Sequence, residues 1–287
     1  MRVSPAVRSL ATVALVLTAL LGSAYALGRS LVPDAPGRGV TTGATAPHYA
    51  DQPSAGGGPS GPDEAGQDDP GGPDGQATQS GAPDDSDEAY GAHTTTGTAT
   101  VALTFDDGPN PHYTPQVLTV LRQYDVKATF CVVGENAQNH PDLIRAIVAD
   151  GHTLCNHTWN HDVRLGARSA DRIRADLLRT SDAIRAAAPG APISYYRQPG
   201  GAWTRTVVSV AEELGMVPLH WNVDPSDWQA PGAGRIAATV VTGVVPGSVV
   251  LLHDAGGDRQ GTVDALHRIL PDLTSRFQVG AMPTGTT

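Results

Sequence analysis

The sequence VALTFDDGP at residues 101–109 joins an apolar, β-branched run to two consecutive acidic residues. Residues 99–105 have the composition of a buried strand, and Gly108-Pro109 marks the loop that follows it. Asp106 and Asp107 therefore lie where a strand ends. In sheets of parallel strands, functional side chains collect at the carboxyl ends of the strands, so this stretch indicates both a fold class and the position of a site.

The region 98–280 alternates between short apolar runs and segments with helical spacing. The further predicted strands are 128–133, 152–156, 195–197, 217–223 and 248–253, and the predicted helices are 114–124, 141–150, 169–188, 204–214, 235–242 and 263–270. Such alternation is typical of a parallel sheet covered by helices. About seven repeats are too few for a closed eight-stranded barrel. We predict an α/β fold: a distorted, incomplete (β/α) barrel of about seven strands, preceded by a disordered linker.

Residues 1–32 contain an uncharged stretch that follows Arg2 and Arg8 and ends near the sequence Ala-Tyr-Ala at 24–26. The pattern is typical of a secretory signal peptide. The stretch is also just long enough to span a bilayer as an N-terminal membrane anchor, so both interpretations stand. Under either one, the remainder of the chain works outside the cytoplasm, secreted or anchored to the outer face of the cytoplasmic membrane.

Residues 33–97 are rich in Pro, Gly, Ser, Thr and Asp and have almost no large apolar side chain. Such a segment buries too little apolar surface to offset the entropy lost on ordering, so we predict a disordered, acidic linker. The acidic residues between positions 51 and 90 account for most of the formal net charge of −10. The region after them is close to neutral, which argues against nucleic acid as a partner.

The second chemical motif is the sequence His157-Thr-Trp-Asn-His161. If these residues form the first turn of a helix, both imidazoles face the same way and reach one divalent cation together with Asp107. Three protein ligands leave coordination positions for water and a substrate oxygen, which is typical of a catalytic metal site. Two histidines and one carboxylate suit Zn first, with Co, Ni or Fe as alternatives.

The candidate acid and base also follow apolar runs. Asp106, next to a predicted ligand, is the predicted general base, and Arg197 is the candidate for a charge-assisted pair with it. His253 is the predicted general acid that protonates the leaving amine. Asp224 or Asp227 is expected to hold the imidazolium form of His253.

Three other side chains are expected to contact a substrate. Trp228 and Leu251 are predicted to form the wall of a pocket for a methyl group, and Tyr113 is expected to contact a sugar, since it lies in the loop after the acidic pair. The two cysteines of the chain, Cys131 and Cys155, both lie in strand-like runs. Export permits a disulfide between them, which we predict, and the alternative is two buried thiols that act as small hydrophobic residues.

Five motifs together carry a family resemblance: Thr-Phe-Asp-Asp-Gly-Pro, His-x-x-x-His, Arg-x-Pro-x-Gly, Asp-x-x-Asp-Trp and Leu-x-His-Asp. In this order they resemble the polysaccharide deacetylase family (carbohydrate esterase family 4, NodB-homology domain). The resemblance covers residues 98–280, the predicted catalytic domain. It implies a distorted (β/α) barrel and metal-dependent removal of acetyl groups from N-acetylated sugars. It also implies the same site roles: Asp106 as the base, oriented by Arg197; Asp107, His157 and His161 as the metal ligands; and His253 as the acid.

One residue departs from the pattern of that family. The motif Arg-x-Pro-x-Gly usually has an aromatic residue before its last Gly, and this chain has Gly200 there. In the family, the backbone N–H at this position helps to stabilise the tetrahedral oxyanion, and Gly200 keeps that N–H. The missing ring leaves a gap in the pocket wall, which we expect Trp203 to fill.

The expected function is that of an exported, monomeric, metal-dependent N-deacetylase of an N-acetylated polysaccharide. Peptidoglycan is the favoured substrate, because an enzyme on a tether reaches the wall of its own cell. Deacetylation of chitin oligosaccharides, and de-esterification of acetylated xylan, are alternatives for the same site. A rival of a different class is an inactive sugar-binding wall protein, which would be expected to lack a ligand, base or acid, and none is missing from the sequence.

Overall fold

The computed structural model of the chain describes residues 89–284. The predicted signal peptide or membrane anchor (1–32) lies outside the described residues, as does the predicted linker (33–97) except for its last nine positions. Within 89–284, no helix is both long enough and apolar enough to cross a bilayer.

The described residues contain an alternating series of parallel strands and helices. The strands are β1 (Val101–Asp106), β2 (Thr129–Val132), β3 (Thr153–Asn156), β4 (Ile193–Tyr196), β5 (Val217–Pro218), β6 (Val249–His253) and β7 (Val279–Gly280). The helices are α1 (Thr114–Gln123), α2 (Gly134–Asn139), α3 (Pro141–Ala149), α4 (Ala170–Ala187), α5 (Arg205–Glu213), α6 (Ala233–Gly243) and α7 (Gln260–Arg276).

The sheet has the order β5-β4-β3-β2-β1-β6, and β7 pairs with the start of β1. After β5 the chain crosses to the opposite edge of the sheet, where Val223 pairs with Val250 of β6. The segment that begins at β5 therefore contacts both edges of the sheet, which curls into an incomplete barrel. The predicted fold class is confirmed. The predicted strand 217–223 is shorter than expected, because the chain leaves β4 after Pro218 to make this crossing.

The alternation of side chains along the strands separates two apolar cores. Leu103 and Phe105 of β1 face the outer core, where they pack with helix residues such as Leu121 and Ile144. Ala102 faces the inside of the barrel, in a smaller cluster. Because the side-chain period of a strand is two, Asp106 lies on the same face as Ala102. The sequence of β1 thus directs Asp106 into the barrel at the carboxyl end of the sheet.

The two cysteines belong to this inner cluster. Cys131 of β2 and Cys155 of β3 are register partners, their Cα atoms lie 4.1 Å apart, and their sulfur atoms are bonded. Cys131 is in turn the register partner of Asp106. The disulfide therefore joins two neighbouring strands directly beside the strand end that carries the acidic pair.

The helices follow local signals, with one exception. Ser169 and Thr204 accept hydrogen bonds from the first-turn N–H groups of α4 and α5, as expected of N-cap residues. The helix α2 was not predicted, since its sequence GENAQN offers only Ala137 as a buried apolar side chain. Packing against α4, rather than amphipathic spacing, accounts for this helix.

Candidate active site

The acidic pair turns sharply at the end of β1. Asp107 has a φ of 74°, a left-handed conformation in which aspartate is among the better-tolerated residues. Because the chain turns there, both carboxylates face the same region instead of opposite faces of the sheet. The next residue must be glycine, since a Cβ on Gly108 would lie 2.4 Å from the buried Asp254 Oδ1.

Asp107, His157 and His161 form a compact group. The Asp107 Oδ1 atom lies 3.5 Å from His157 Nε2 and 3.3 Å from His161 Nε2, and the candidate ligand atoms all lie within 4.8 Å of one another. Ligands at about 2.1 Å from one tetrahedral cation are separated by about 3.4 Å. Asp107 Oδ1 is buried and has no hydrogen-bond partner in the described part of the chain. The residues present therefore fit a divalent cation.

The surroundings of this group also suit metal binding. The ring of His157 donates from Nδ1 to the Arg197 carbonyl at 2.8 Å, which leaves the Nε2 lone pair facing Asp107. Metal-bound histidines commonly donate their other ring N–H to a backbone carbonyl in this way. Burial raises the pKa of Asp107, but the neighbouring His161 and His157 outweigh it, and the pKa lies below its usual value. The carboxylate is thus ionised near neutral pH.

His157 and His161 do not share a helical turn, the arrangement under which their imidazoles were expected to face the same way. Residues 157–161 form a non-helical turn in which Thr158 and His161 have φ values of 67° and 58°. The Asn156 side chain accepts the Thr158 N–H at 3.0 Å, and the Thr158 carbonyl accepts the N–H of Gly134 at the start of α2. These contacts compete with helix formation, and two left-handed residues bring His161 back to His157.

Arg197 crosses the inside of the barrel from the end of β4 to β1. It is fully buried, and its Nη1 donates to Asp106 Oδ1 at 2.7 Å and to Thr104 Oγ1 at 2.8 Å. Its Nε and Nη2 donate to the carbonyls of Leu219 and His220. A guanidinium with acceptors on several sides fixes the orientation of the Asp106 carboxylate. The contact is the one expected from the sequence.

His253, at the end of β6, is paired with Asp227. Its Nδ1 donates to Asp227 Oδ1 at 2.6 Å, and its backbone N–H donates to Asp227 Oδ2 at 2.9 Å. Burial lowers the pKa of His253, but Asp227 outweighs it and raises the pKa to about 9. His253 is therefore an imidazolium at neutral pH. Asp224, the other candidate partner, instead accepts the N–H of Ser226 at 2.7 Å.

Two residues that support this pair were missed in the sequence. Thr262 donates from Oγ1 to Asp227 Oδ2 at 2.6 Å. Arg259, which is buried, donates to the carbonyls of Asp227 and Ala255 and so ties the loop after β6 to the turn that carries Asp227. No short motif marks either residue, because their partners are distant in sequence or lie on the backbone.

Asp106, His157, His161 and His253 face one cavity of about 160 Å³. Gly200, Trp228 and Leu251, which were expected around a substrate, line it, and the full set of lining residues is Asp106, His157, His161, Gly200, Trp221, Asp224, Trp228, Leu251 and His253. Tyr113 is not among them. Its hydroxyl donates to the exposed Asp258 Oδ1 at 3.1 Å, and a contact between Tyr113 and a sugar stays a prediction.

Trp203 does not fill the place beside Gly200, and that expectation was wrong. Its indole is buried and its Nε1 donates to His220 Nδ1 at 3.1 Å. The ring that lines the cavity beside the Gly200-Gly201 turn belongs to Trp221, which packs against the His220 ring. The sequence distance to Gly200 favoured Trp203, but the crossing after β5 brings the later tryptophan to the cavity.

Comparisons with known proteins agree with this geometry. The sequence pattern of the family described as polysaccharide deacetylase matches residues 93–219. The chain is 42% identical over 199 residues to a chitooligosaccharide deacetylase of Bradyrhizobium sp. (strain ANU 289), which covers 65% of this chain and 90% of that protein. It is 41% identical over 175 residues to a peptidoglycan-N-acetylglucosamine deacetylase of Bacillus cereus (strain ATCC 14579). This match covers 60% of this chain and 81% of that protein. A crystal structure of a peptidoglycan N-acetylglucosamine deacetylase with a bound benzamide compound matches with a TM-score of 0.63 and 36% identity, over 67% of this chain and 89% of that chain.

Proposed function

Because the chain belongs to the polysaccharide deacetylase family, we propose that it hydrolyses the acetamido group of an N-acetylated polysaccharide. The observation that carries this proposal is that Asp106 and His253, which line one cavity, are each held by a buried ion-pair partner. Asp106 is held by Arg197, His253 is held by Asp227, and the group around Asp107 lies with them at the carboxyl end of the sheet. A base and an acid with a cation site beside them are the components of amide hydrolysis.

The cation is proposed to be held by Asp107, His157 and His161, with Zn first and Co, Ni or Fe as alternatives. When bound, it supplies Lewis-acid polarisation of the acyl carbonyl and makes a water molecule more acidic. The donor set of two imidazoles and one carboxylate supports this proposal. The remaining protein groups handle the protons.

Asp106 accepts a proton from the attacking water, with its carboxylate oriented by Arg197. The new carbon–oxygen bond produces a tetrahedral oxyanion, toward which the Gly200 N–H is proposed to donate. His253 uses Nδ1 for Asp227, so its Nε2 proton is available to the leaving nitrogen. Proton transfer to that nitrogen accompanies cleavage of the carbon–nitrogen bond, and the products are acetate and a free amino sugar.

Peptidoglycan is proposed as the first substrate, and chitin oligosaccharides as the second. The relatives named above are deacetylases of these two classes of sugar. The predicted export segment and long linker favour the cell wall, and we propose that the protein acts outside the cytoplasm as a monomer, secreted or anchored to the membrane. De-esterification of acetylated xylan by the same groups is third in this order.

Acetate release by the full-length protein tests the proposal. Peptidoglycan, chitin pentamer and acetylated xylan are supplied separately to the wild type and to Asp106→Asn, which keeps the shape of the side chain but removes the base. The control is Asp182→Asn, a change at an exposed residue of α4. We expect release from at least one polymer, lost in Asp106→Asn and kept in the control. Release that persists in Asp106→Asn, or none from the wild type with Zn²⁺ bound, would contradict the proposal.

A further inference from the structure

The cavity rim beside the acid–base groups contains a turn without side chains. Gly200 and Gly201 have φ values of 62° and 63°, and neither provides a ring or a methyl group for a substrate to pack against. The Trp221 indole lies directly over this turn. A Cβ on Gly201 would be 3.1 Å from Trp221 Cη2, so the edge of the indole takes up the space next to the glycine backbone.

The position of Trp221 is fixed by its neighbours. The His220 ring lies 4.2 Å from the Trp221 ring, between centroids, and His220 Nδ1 accepts the Trp203 indole N–H at 3.1 Å. Burial, together with Arg197, lowers the pKa of His220 to about 4. The imidazole is thus neutral at physiological pH, with Nδ1 available as the acceptor that this contact requires.

The same region is tied to the catalytic base. Arg197 donates from Nη2 to the His220 carbonyl at 3.1 Å and from Nη1 to Asp106 at 2.7 Å. Its guanidinium carbon lies 5.6 Å from the centroid of the Trp221 ring. A single buried side chain therefore sets the distance between the aromatic wall and the group that activates water.

We propose that Trp221 is a specificity-determining residue that packs against the apolar face of the acetylated sugar ring, beside the turn that Gly200 and Gly201 leave without side chains. Trp203 and His220 act as positioning residues for it. The inference rests on the proposed function, because it names the part of the cavity that recognises the N-acetylhexosamine. Aromatic rings commonly line such pockets, where a few polar groups fix the orientation of the ligand.

The test uses the full chain and chitin pentamer in steady-state assays of acetate release. Trp221→Ala is expected to raise KM by about tenfold or more, with kcat changed by less than about threefold, because a ring that packs equally well against substrate and transition state contributes to binding alone. Trp221→Phe is expected to raise KM less, since it keeps a ring. The control is Tyr90→Ala, which removes an exposed ring that contacts Arg205 and does not line the cavity.

The positioning role is tested by Trp203→Phe, which keeps an aromatic ring and removes the N–H donor to His220. We expect a rise in KM smaller than that of Trp221→Ala, and no further rise when both changes are combined. An additional rise in the double variant would show that Trp203 acts independently of Trp221. If Trp221→Ala does not fold, Trp221→Phe carries the comparison with the wild type.

Binding without turnover separates this inference from the proposed function. Chitin pentamer is titrated calorimetrically into Asp106→Asn and into the double variant Asp106→Asn/Trp221→Ala. We expect a Kd weaker by about tenfold in the double variant. Unchanged Kd and KM overturn the role of Trp221. Weaker binding in the double variant, together with no acetate release by the wild type, overturns the deacetylase function and leaves the aromatic wall supported. Absence of both binding and turnover overturns both for this class of sugar.

Discussion

Replacing Asp227 with asparagine removes the carboxylate that keeps His253 protonated. The pKa of His253 is raised from 6.5 to about 9 although burial alone would lower it. Asp227 is the largest cause of this rise, and Asp107 and Asp106 add smaller effects in the same direction. In Asp227→Asn we expect the pKa of His253 to fall to about 6.5 or lower, because burial is then opposed only by the weaker contributions.

The size of the effect follows from the protonated fraction. At pH 8, about nine-tenths of His253 is imidazolium when its pKa is 9, but only about 3% when its pKa is 6.5. General-acid catalysis requires the imidazolium, so kcat/KM at pH 8 should fall by at least roughly 30-fold. The loss should be smaller at pH 6, where about three-quarters of the variant's His253 is protonated if its pKa is 6.5, apart from any constant loss caused by the changed hydrogen bond.

The assay is the pH dependence of kcat/KM for acetate release from chitin pentamer between pH 6 and 10. Asp224→Asn is the matched control, since Asp224 lines the same cavity but contacts Ser226 rather than His253. It should leave the alkaline limb close to its wild-type position. An alkaline limb that stays in place in Asp227→Asn, or that moves equally in Asp224→Asn, would refute the assignment of Asp227.

Three further predictions concern other parts of the molecule. Arg197→Lys should lower kcat/KM by roughly 100-fold in the acetate assay, because an ammonium group cannot orient Asp106 and satisfy the other acceptors at once. His152 is buried, and burial lowers its pKa from 6.5 to about 4. The unfolded chain therefore binds a proton that the folded chain excludes, and stability falls as the pH drops below 6.5. Between pH 7 and 4.5, the free energy of unfolding of His152→Asn should fall by roughly 2.5 kcal/mol less than that of the wild type, as measured by urea unfolding. The double change Cys131→Ala/Cys155→Ala opens a crosslink with a sequence separation of 24 and should cost about 3 kcal/mol in the same unfolding assay.

Each of these three predictions has a contradicting result. Arg197→Lys with wild-type activity would show that Asp106 is oriented without the guanidinium. If the free energy of unfolding falls equally between pH 7 and 4.5 in the wild type and in His152→Asn, then His152 takes up its proton in the folded chain as readily as in the unfolded one. Two results together would contradict the disulfide. The double cysteine variant would be as stable as the wild type without reductant, and reductant would leave the stability of the wild type unchanged.

The sequence predicts the parallel sheet and the position of the site because these depend on local patterns. An apolar run followed by acidic residues, as at Asp106, marks a strand and its carboxyl end without knowledge of distant contacts. The same holds for His253, which follows an apolar run, and for Arg197, which follows the strand-like pair Tyr195-Tyr196. Their meeting at one end of the sheet then follows from the parallel arrangement of the strands.

Other features depend on contacts that no local pattern encodes. The choice between Asp224 and Asp227 is made by the left-handed Ser226 between them and by the loop that Arg259 holds. The crossing of the chain after β5 decides that Trp221 lies in the cavity. Tertiary contacts determine which of two residues close in sequence lies in the site, so the local sequence pattern does not distinguish between them.

Zinc binding measured together with acetate release tests whether Asp107, His157 and His161 hold the cation on which catalysis depends. The full-length protein is stripped of metal and titrated with Zn²⁺ by calorimetry, while acetate release from chitin pentamer is followed at each step, with Asp107→Asn measured in parallel. We predict one high-affinity ion per wild-type chain, activity that rises in proportion and levels off at one equivalent, and loss of both in Asp107→Asn. Acetate release by the stripped protein that Zn²⁺ does not increase, or full activity of Asp107→Asn, would contradict this prediction.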